Sequence, residues 1–254
     1  MSNSTTVFVT GAGSGIGRAT ATLLADRGYA VAGFDRNGAA VTDLADEINS
    51  RGGRALAWEG DVTDTAAVAT AVDETVSHWG HLTGAVACAG IEVVGGVLDL
   101  DFEDWQRSLS VNASGVFNLA KGALPHLITS RGSFVAIASD AGTEGAQGYA
   151  AYCAAKHAVV GLVKSMALDH GVQGVRSNVV CPSFVETPMA TRIFDNTAPG
   201  EAEFYRDIIP MGRFALPDEV AKAVAHLLGP DSSFTNGMLY AIDGGGTAGF
   251  YRPA

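Results

Sequence analysis

Positive charge is scarce in this chain. Sixteen lysines and arginines stand against 27 aspartates and glutamates, for a formal net charge of -11. No basic run interrupts that balance, so nucleic acid and anionic lipid meet net repulsion, and neither is expected as a partner. Cysteine is nearly absent: Cys88, Cys153 and Cys181 are odd in number, widely spaced and set among apolar neighbours. That pattern argues against a disulfide framework and for buried free thiols in a reducing cytoplasm. Long hydrophobic runs are missing too. No segment approaches the roughly 18 unbroken apolar residues of a membrane span. The start, Met1 to Thr6, shows no basic stretch leading into an apolar one, so no signal peptide is expected. His78 and His81 flank Gly80 without a cluster of acids or thiols, and no metal site is expected. Trp58, Trp79 and Trp105 read as packing residues.

What the chain does have is apolar material, at 47%, and 32 glycines gathered at the ends of apolar runs. Strand-like and helix-like segments alternate throughout. Strands are expected at Thr6–Thr10, Ala30–Phe34, 54–58, Leu82–Ala87, Ser133–Ala138, 175–181 and Met238–Ile242. Helices are expected over Ile16–Arg27 with Gly28 as the stop, 39–50, 64–78, a long stretch at 102–128, 150–170 and Pro217–Leu228. Residues 183–212 read as less regular. Near-continuous apolar strands alternating with helices imply an α/β fold, a parallel sheet covered on both faces. With no repeat or linker, residues 1–254 are expected to form one domain.

The first strand runs into Thr10-Gly11-Ala12-Gly13-Ser14-Gly15-Ile16-Gly17 and then a helix. Such a turn lets backbone approach a pyrophosphate at a helix N-terminus, although a plain structural turn can carry the same glycines. Asp35 closes the second strand, where an acid accepts hydrogen bonds from an adenosine ribose; a helix cap is the other reading. Asp61-Val62 closes the third, where the pair would bracket an adenine or serve as a turn and a core valine. An acid facing a 2'-phosphate repels it by roughly 4 kcal/mol at ~4 Å and an effective dielectric of about 20. Ser14 offers no compensating charge and Arg36 is one cation beside a fixed acid, so NAD(H) is the expected cofactor.

Ser139, Tyr152 and Lys156 form the chemical constellation, at spacings of 13 and 4. Ser139 follows the fifth strand, at the edge where open α/β sheets bind ligands. Tyr152 and Lys156 share one helix face. A phenol needs its pKa of about 10 brought down for neutral chemistry, and a lysine cation is expected to do this. Tyr149 has Cys153 four residues on and lacks that partner.

Together with Asp61, Asn112 in Val111-Asn112-Ala113-Ser114-Gly115, Pro182 and Asp243-Gly244-Gly245, these motifs resemble the short-chain dehydrogenase/reductase family from residue 7 to about 245. The resemblance implies a Rossmann-type doubly wound sheet ordered 3-2-1-4-5-6-7. It implies Tyr152 as general acid/base, Lys156 as the residue that lowers its pKa and binds the nicotinamide ribose, and Ser139 as the group that orients the substrate oxygen. It also implies that Asn112 breaks the long helix locally and holds a water leading from Lys156. Gly11, Ser14, Gly15, Ile16, Gly17, Asp35, Arg36, Asp61, Val62, Ala89, Gly90, Tyr152, Lys156, Pro182, Val185 and Thr187 would line the cofactor. Two departures stand out. Ala87-Cys88-Ala89-Gly90 replaces the family's Asn-Asn-Ala-Gly, removing two amides, and Pro182-Ser183 replaces Pro-Gly.

The function implied is interconversion of a secondary alcohol and a ketone. Two alternatives remain: a 3-oxoacyl-thioester reductase, disfavoured by Asp35 and by the acidic surface, and a catalytically silent nucleotide-binding protein. Substrate contacts are expected from Glu92, Val93, Glu144, Phe184 and Met189 beside Ser139 and Tyr152. Their mix suits a medium-sized apolar, cyclic or aromatic alcohol, with the acids hinting at a neutral or cationic one. Small residues on the 150–170 helix and the aromatic tail Gly249 to Ala254, read with the family, point to a homotetramer.

Overall fold

The computed structural model describes residues 5–252; Met1 to Ser4 and the tail residues Pro253 and Ala254 lie outside them. The strands are β1 (Thr6–Thr10), β2 (Ala30–Asp35), β3 (Arg54–Glu59), β4 (Gly84–Ala87), β5 (Ser133–Ile137), β6 (Arg176–Pro182) and β7 (Leu239–Ile242). They form one parallel sheet in the order β3-β2-β1-β4-β5-β6-β7, as expected. Successive residues of a strand face opposite sides, and β1 shows the consequence. Phe8 joins Phe34 and Phe134 on one face, under Val68 and Val72 of α3 (Thr65–Trp79), Leu119 of α5 (Gly115–Ser130) and Val159 of α6 (Ala150–His170). Val7 and Val9 join Val31 and Val135 on the other, under Leu24 of α1 (Gly15–Asp26), Leu44 of α2 (Gly38–Ser50) and Val224 of α9 (Pro217–Leu228). Both faces are covered, which is why β1, β4 and β5 are fully buried and mostly apolar.

The expected long helix at 102–128 is divided. α4 (Phe102–Leu109) passes through a π-turn at Ser110–Ser114 into α5, so the break does fall at Asn112. The stretch 183–212 is more regular than its sequence indicates, holding α7 (Pro188–Asp195) and α8 (Glu201–Asp207). Thr187 caps α7, its hydroxyl accepting from the Ala190 N–H, and Pro188 supplies a preset first turn. Of the three thiols Cys181 is buried; Cys88 and Cys153 are only partly so, which corrects the expectation for those two.

Candidate active site

Strand order reverses between β1 and β4, and the segments that follow the sheet's carboxyl ends converge there. At the end of β1 the chain turns so tightly that side chains are excluded. A Cβ on Gly11, at φ +67°, would lie 2.8 Å from the Ala89 backbone, and one on Gly17 would lie 2.1 Å from the Gly11 carbonyl oxygen. Ser14 is exposed at the mouth of α1, with Gly15 and Ile16 behind it. The chain after β4 is held to β1 by Thr10, whose hydroxyl accepts from the Cys88 and Ala89 N–H groups at 3.1 and 3.3 Å.

Asp35 sits across from this turn, its Oδ2 accepting from the Gly13 N–H and its Oδ1 from the Asn37 N–H, both at 2.9 Å. The cap of α2 is Asn37, so Asp35 is not a helix cap. Two backbone donors fix its carboxylate, while Arg36 beside it is exposed. Asp61 accepts from the N–H and hydroxyl of Thr63, and Val62 is buried against Gly115, with its carbonyl accepting from Asn118. A side-chain-free turn at a helix N-terminus, with a fixed carboxylate opposite, fits a nicotinamide dinucleotide.

Asn112 is fully buried, and its side chain bonds to Ile91 and Ser108. Its Oδ1 accepts from the Ile91 N–H at 2.9 Å, and its Nδ2 donates to the Ile91 carbonyl at 3.0 Å and to Ser108 Oγ at 3.2 Å. It thus clamps the chain beyond Ala89-Gly90 to the π-turn. At the end of β6, Pro182 and Val185 are buried, and the Thr187 methyl faces Gly15, bringing α7 against the glycine turn.

Ser139, Tyr152 and Lys156 do come together. The Lys156 ammonium lies over the Tyr152 ring, 5.4 Å from its centroid, and donates to the Ile137 carbonyl at 2.9 Å. Burial brings the Lys156 pKa down to about 8. Burial also pushes the Tyr152 phenol above its ordinary value, against a hydrogen bond with Ser139 that lowers it. This corrects the sequence expectation of a depressed phenol. The low-dielectric site penalises the phenolate more than its neighbours stabilise it, and the lysine's hydrogen bond goes to the backbone.

The expected substrate residues divide. Val93 is buried and Glu92 half-buried beside Tyr149 and Tyr152, but Glu92 is paired with Arg192 of α7 at 3.3 Å. That pairing offsets the charge of one of the acids behind the hint of a cationic substrate. Phe184 packs with Phe194, Tyr205 and Phe214 at centroid distances of 4.6–5.4 Å, so it shapes the cap over the site. Met189 lies on α7 in the same cap. Glu144 is exposed and lines a separate recess with Asp140 and Cys181. Three residues outside the expected site set also stand here, among them Tyr149, which the sequence set aside. Asp140 accepts a hydrogen bond from Ser139, Arg192 holds Glu92, and Tyr149 stands edge-on to Tyr152 at 6.2 Å. Only Asp140 carried a signal, its place next to Ser139. Among the described residues no group of three His, Cys, Asp or Glu is arranged to hold a metal, and no helix is long and apolar enough to cross a membrane.

A family model described as enoyl-(acyl carrier protein) reductase, from the short-chain dehydrogenase/reductase family, matches residues 11–247. The chain belongs to the short-chain dehydrogenase/reductase family. It is 41% identical over 248 residues to a meso-2,3-butanediol dehydrogenase of Serratia marcescens, covering 97% of this chain and 96% of that one. It is 38% identical to a cyclohexanol dehydrogenase of Acinetobacter sp. (strain SE19), with the same coverage of 97% and 96%. Among solved structures, levodione reductase superposes with a TM-score of 0.93 at 30% identity, covering 97% of this chain and 98% of the other.

Proposed function

We propose that the protein is an NAD(H)-dependent oxidoreductase that interconverts a secondary alcohol and its ketone. The observation that carries this reading is the convergence of Ser139, Tyr152 and Lys156 beside the glycine turn, in a family whose relatives bear the names of alcohol dehydrogenases. Bound NAD(H) supplies or takes up the hydride. Gly11, Ser14, Gly15, Ile16 and Gly17 would hold its pyrophosphate, Asp35 its adenosine ribose, Asp61 and Val62 its adenine. Ala89, Gly90, Pro182, Val185, Thr187 and Lys156 would hold the nicotinamide half. Asp35, fixed by two backbone N–H groups, has no freedom to turn away from a 2'-phosphate, which supports NAD(H) over NADP(H).

Tyr152 exchanges the proton with the substrate oxygen. Raised by burial, its phenol stays protonated at neutral pH, the form that donates to a carbonyl, so ketone reduction is served near neutrality and alcohol oxidation gains as the pH rises. Ser139 orients the substrate oxygen, and Lys156, held by the Ile137 carbonyl, keeps a positive charge beside the Tyr152 ring. The substrate is read as a medium-sized, uncharged, apolar alcohol, cyclic or aromatic, entering under the Phe184 cap with Val93 and Met189 as walls. The assembly is read as a homotetramer in the cytoplasm.

NADH-linked turnover of a panel of secondary alcohols and ketones, with NADPH as control, tests this reading. Tyr152→Phe is expected to lose about 10²–10⁴-fold in kcat while still binding NADH. Binding of NADH without turnover of any panel member by the unaltered protein would overturn it.

A further inference from the structure

Glu92 is held from three sides. Asn112 bonds the N–H and the carbonyl of Ile91, just before it, at 2.9 and 3.0 Å. Just beyond it, Gly95 donates to the Gly148 carbonyl at 2.6 Å and accepts from the Ala150 N–H at 3.3 Å, which seats the loop against Tyr149 at the start of α6. The carboxylate itself meets Arg192 of α7, Oε1 with Nε at 3.3 Å and Oε2 with Nη2 at 3.5 Å.

This ion pair is lopsided. The Arg192 side chain is 59% exposed and that of Glu92 19%, so the cation stands in solvent while the anion is turned inward. A pair with one partner so exposed and contacts this long holds a cap only weakly, and burying Glu92 serves no such purpose. A carboxylate offers about four lone-pair positions, and Arg192 takes one on each oxygen. The phenols of Tyr149 and Tyr152 both feel the Glu92 charge, and Tyr149 feels Tyr205 of the cap as well. Tyr149 stands edge-on to Tyr152 at 6.2 Å between ring centroids, and its hydroxyl has no hydrogen-bond partner among the described residues.

We propose that Glu92 and Tyr149 form a second polar subsite beside Tyr152, and that the substrate carries a second hydroxyl, which donates to the Glu92 carboxylate and accepts from the Tyr149 hydroxyl while the first oxygen reacts at Tyr152. The proposal rests on the alcohol–ketone reading above and narrows its uncharged substrate to a diol and the matching hydroxyketone. The hydrogens balance. A hydroxyl has one proton and two acceptor positions, Tyr149 has one proton to give, and the free lone pairs of Glu92 only accept. A carbonyl at the second position has no proton for Glu92. An ammonium there meets a carboxylate whose charge Arg192 already offsets, and gains little for leaving water.

The test compares cyclohexanol, the 1,2- and 1,3-cyclohexanediols and 2-aminocyclohexanol as substrates with NAD⁺. The best diol is expected to exceed cyclohexanol in kcat/KM by about tenfold or more. Glu92→Leu should erase that ratio, and Glu92→Gln, which keeps an acceptor without the charge, should cut it by about threefold to tenfold. Arg192→Met separates the subsite from a latch between loop and cap: a latch would make this variant behave as Glu92→Leu does, whereas the subsite keeps its diol ratio. If Glu92→Leu does not fold, the other two variants still decide. A ratio unmoved in Glu92→Gln, a ratio lost in Arg192→Met, or a preference for the amino alcohol overturns the proposal. A second readout needs no turnover. In calorimetry of the NADH-loaded protein, where these alcohols cannot react, a diol should bind about tenfold more tightly than cyclohexanol, and Glu92→Leu should close the gap. Equal binding sinks the second subsite by itself, whereas absence of turnover with that gap present counts against the oxidoreductase reading alone.

Discussion

Lys156 titrates at about 8 in the fold against 10.5 for an unperturbed lysine, so between those values the unfolded chain binds more protons than the native one. Stability therefore rises with pH across that window, by about 3 kcal/mol if completed. The thiols work the other way. Cys88 is pushed up by burial to about 12 and Cys181 to about 11, from an ordinary 9.0, so their contribution falls once an unfolded thiol would ionise. The interval from about pH 8 to 9 is left to the lysine. Urea denaturation there should show stability rising with pH, and Lys156→Met should flatten the rise. Asp35→Ala should narrow the preference for NADH over NADPH in kcat/KM by at least about tenfold, given the repulsion it removes. The variant should also weaken NADH binding, because the Gly13 and Asn37 N–H groups lose their acceptor. At this scale the spacing of Ser139, Tyr152 and Lys156 is legible in the sequence. Rotamers are not: nothing local says that Lys156 reaches the Ile137 carbonyl or that Ser139 turns to Asp140.

Among the elements, the π-turn at Ser110–Ser114 depends on one side chain. Asn112→Ala would leave the Ile91 N–H and carbonyl without their partner, at a cost of about 2–4 kcal/mol in chemical denaturation. Freed from the π-turn, the segment from Ile91 onward should also hold substrate less well, read as a raised KM with a smaller change in kcat. Buried central strands are legible because both of their faces are covered, which leaves continuous apolar runs such as Val7-Phe8-Val9. The cap is not legible in the same way. α7 and α8 are eight and seven residues long, and what holds them is an aromatic cluster drawn from Phe184, Phe194, Tyr205 and Phe214, residues distant in sequence. The local signs of a helix start there are Thr187-Pro188 for α7 and Glu201 and Glu203 in the first turn of α8. Short helices lacking the propensity to stand alone are specified by such tertiary contacts.

For the molecule as a whole, Leu168, Val172, Phe234 and Phe250 are each more than four-fifths exposed, at 81%, 91%, 104% and 92%. In the homotetramer proposed above, these are side chains whose burial would lower the exposed apolar surface. Light scattering at micromolar concentration is expected to give the mass of a tetramer, and a monomeric mass would rule that out. The sheet order has a further consequence, for the order of events as the chain is made. β1 is synthesised first yet ends at the middle of the sheet, between β2 and β4. Its pairing with β2 can form early, but the register Val7↔Gly84 to Thr10↔Ala87 must wait for residues 84–87 to emerge. At typical synthesis rates that wait lasts about 4–15 s. Throughout it, one edge of a strand that is fully buried in the finished fold is open to any other strand it meets. The nascent amino-terminal third is therefore where misdirected strand pairing has its opening, and a helper that shields a bare strand edge for a few seconds would raise the yield of folded protein.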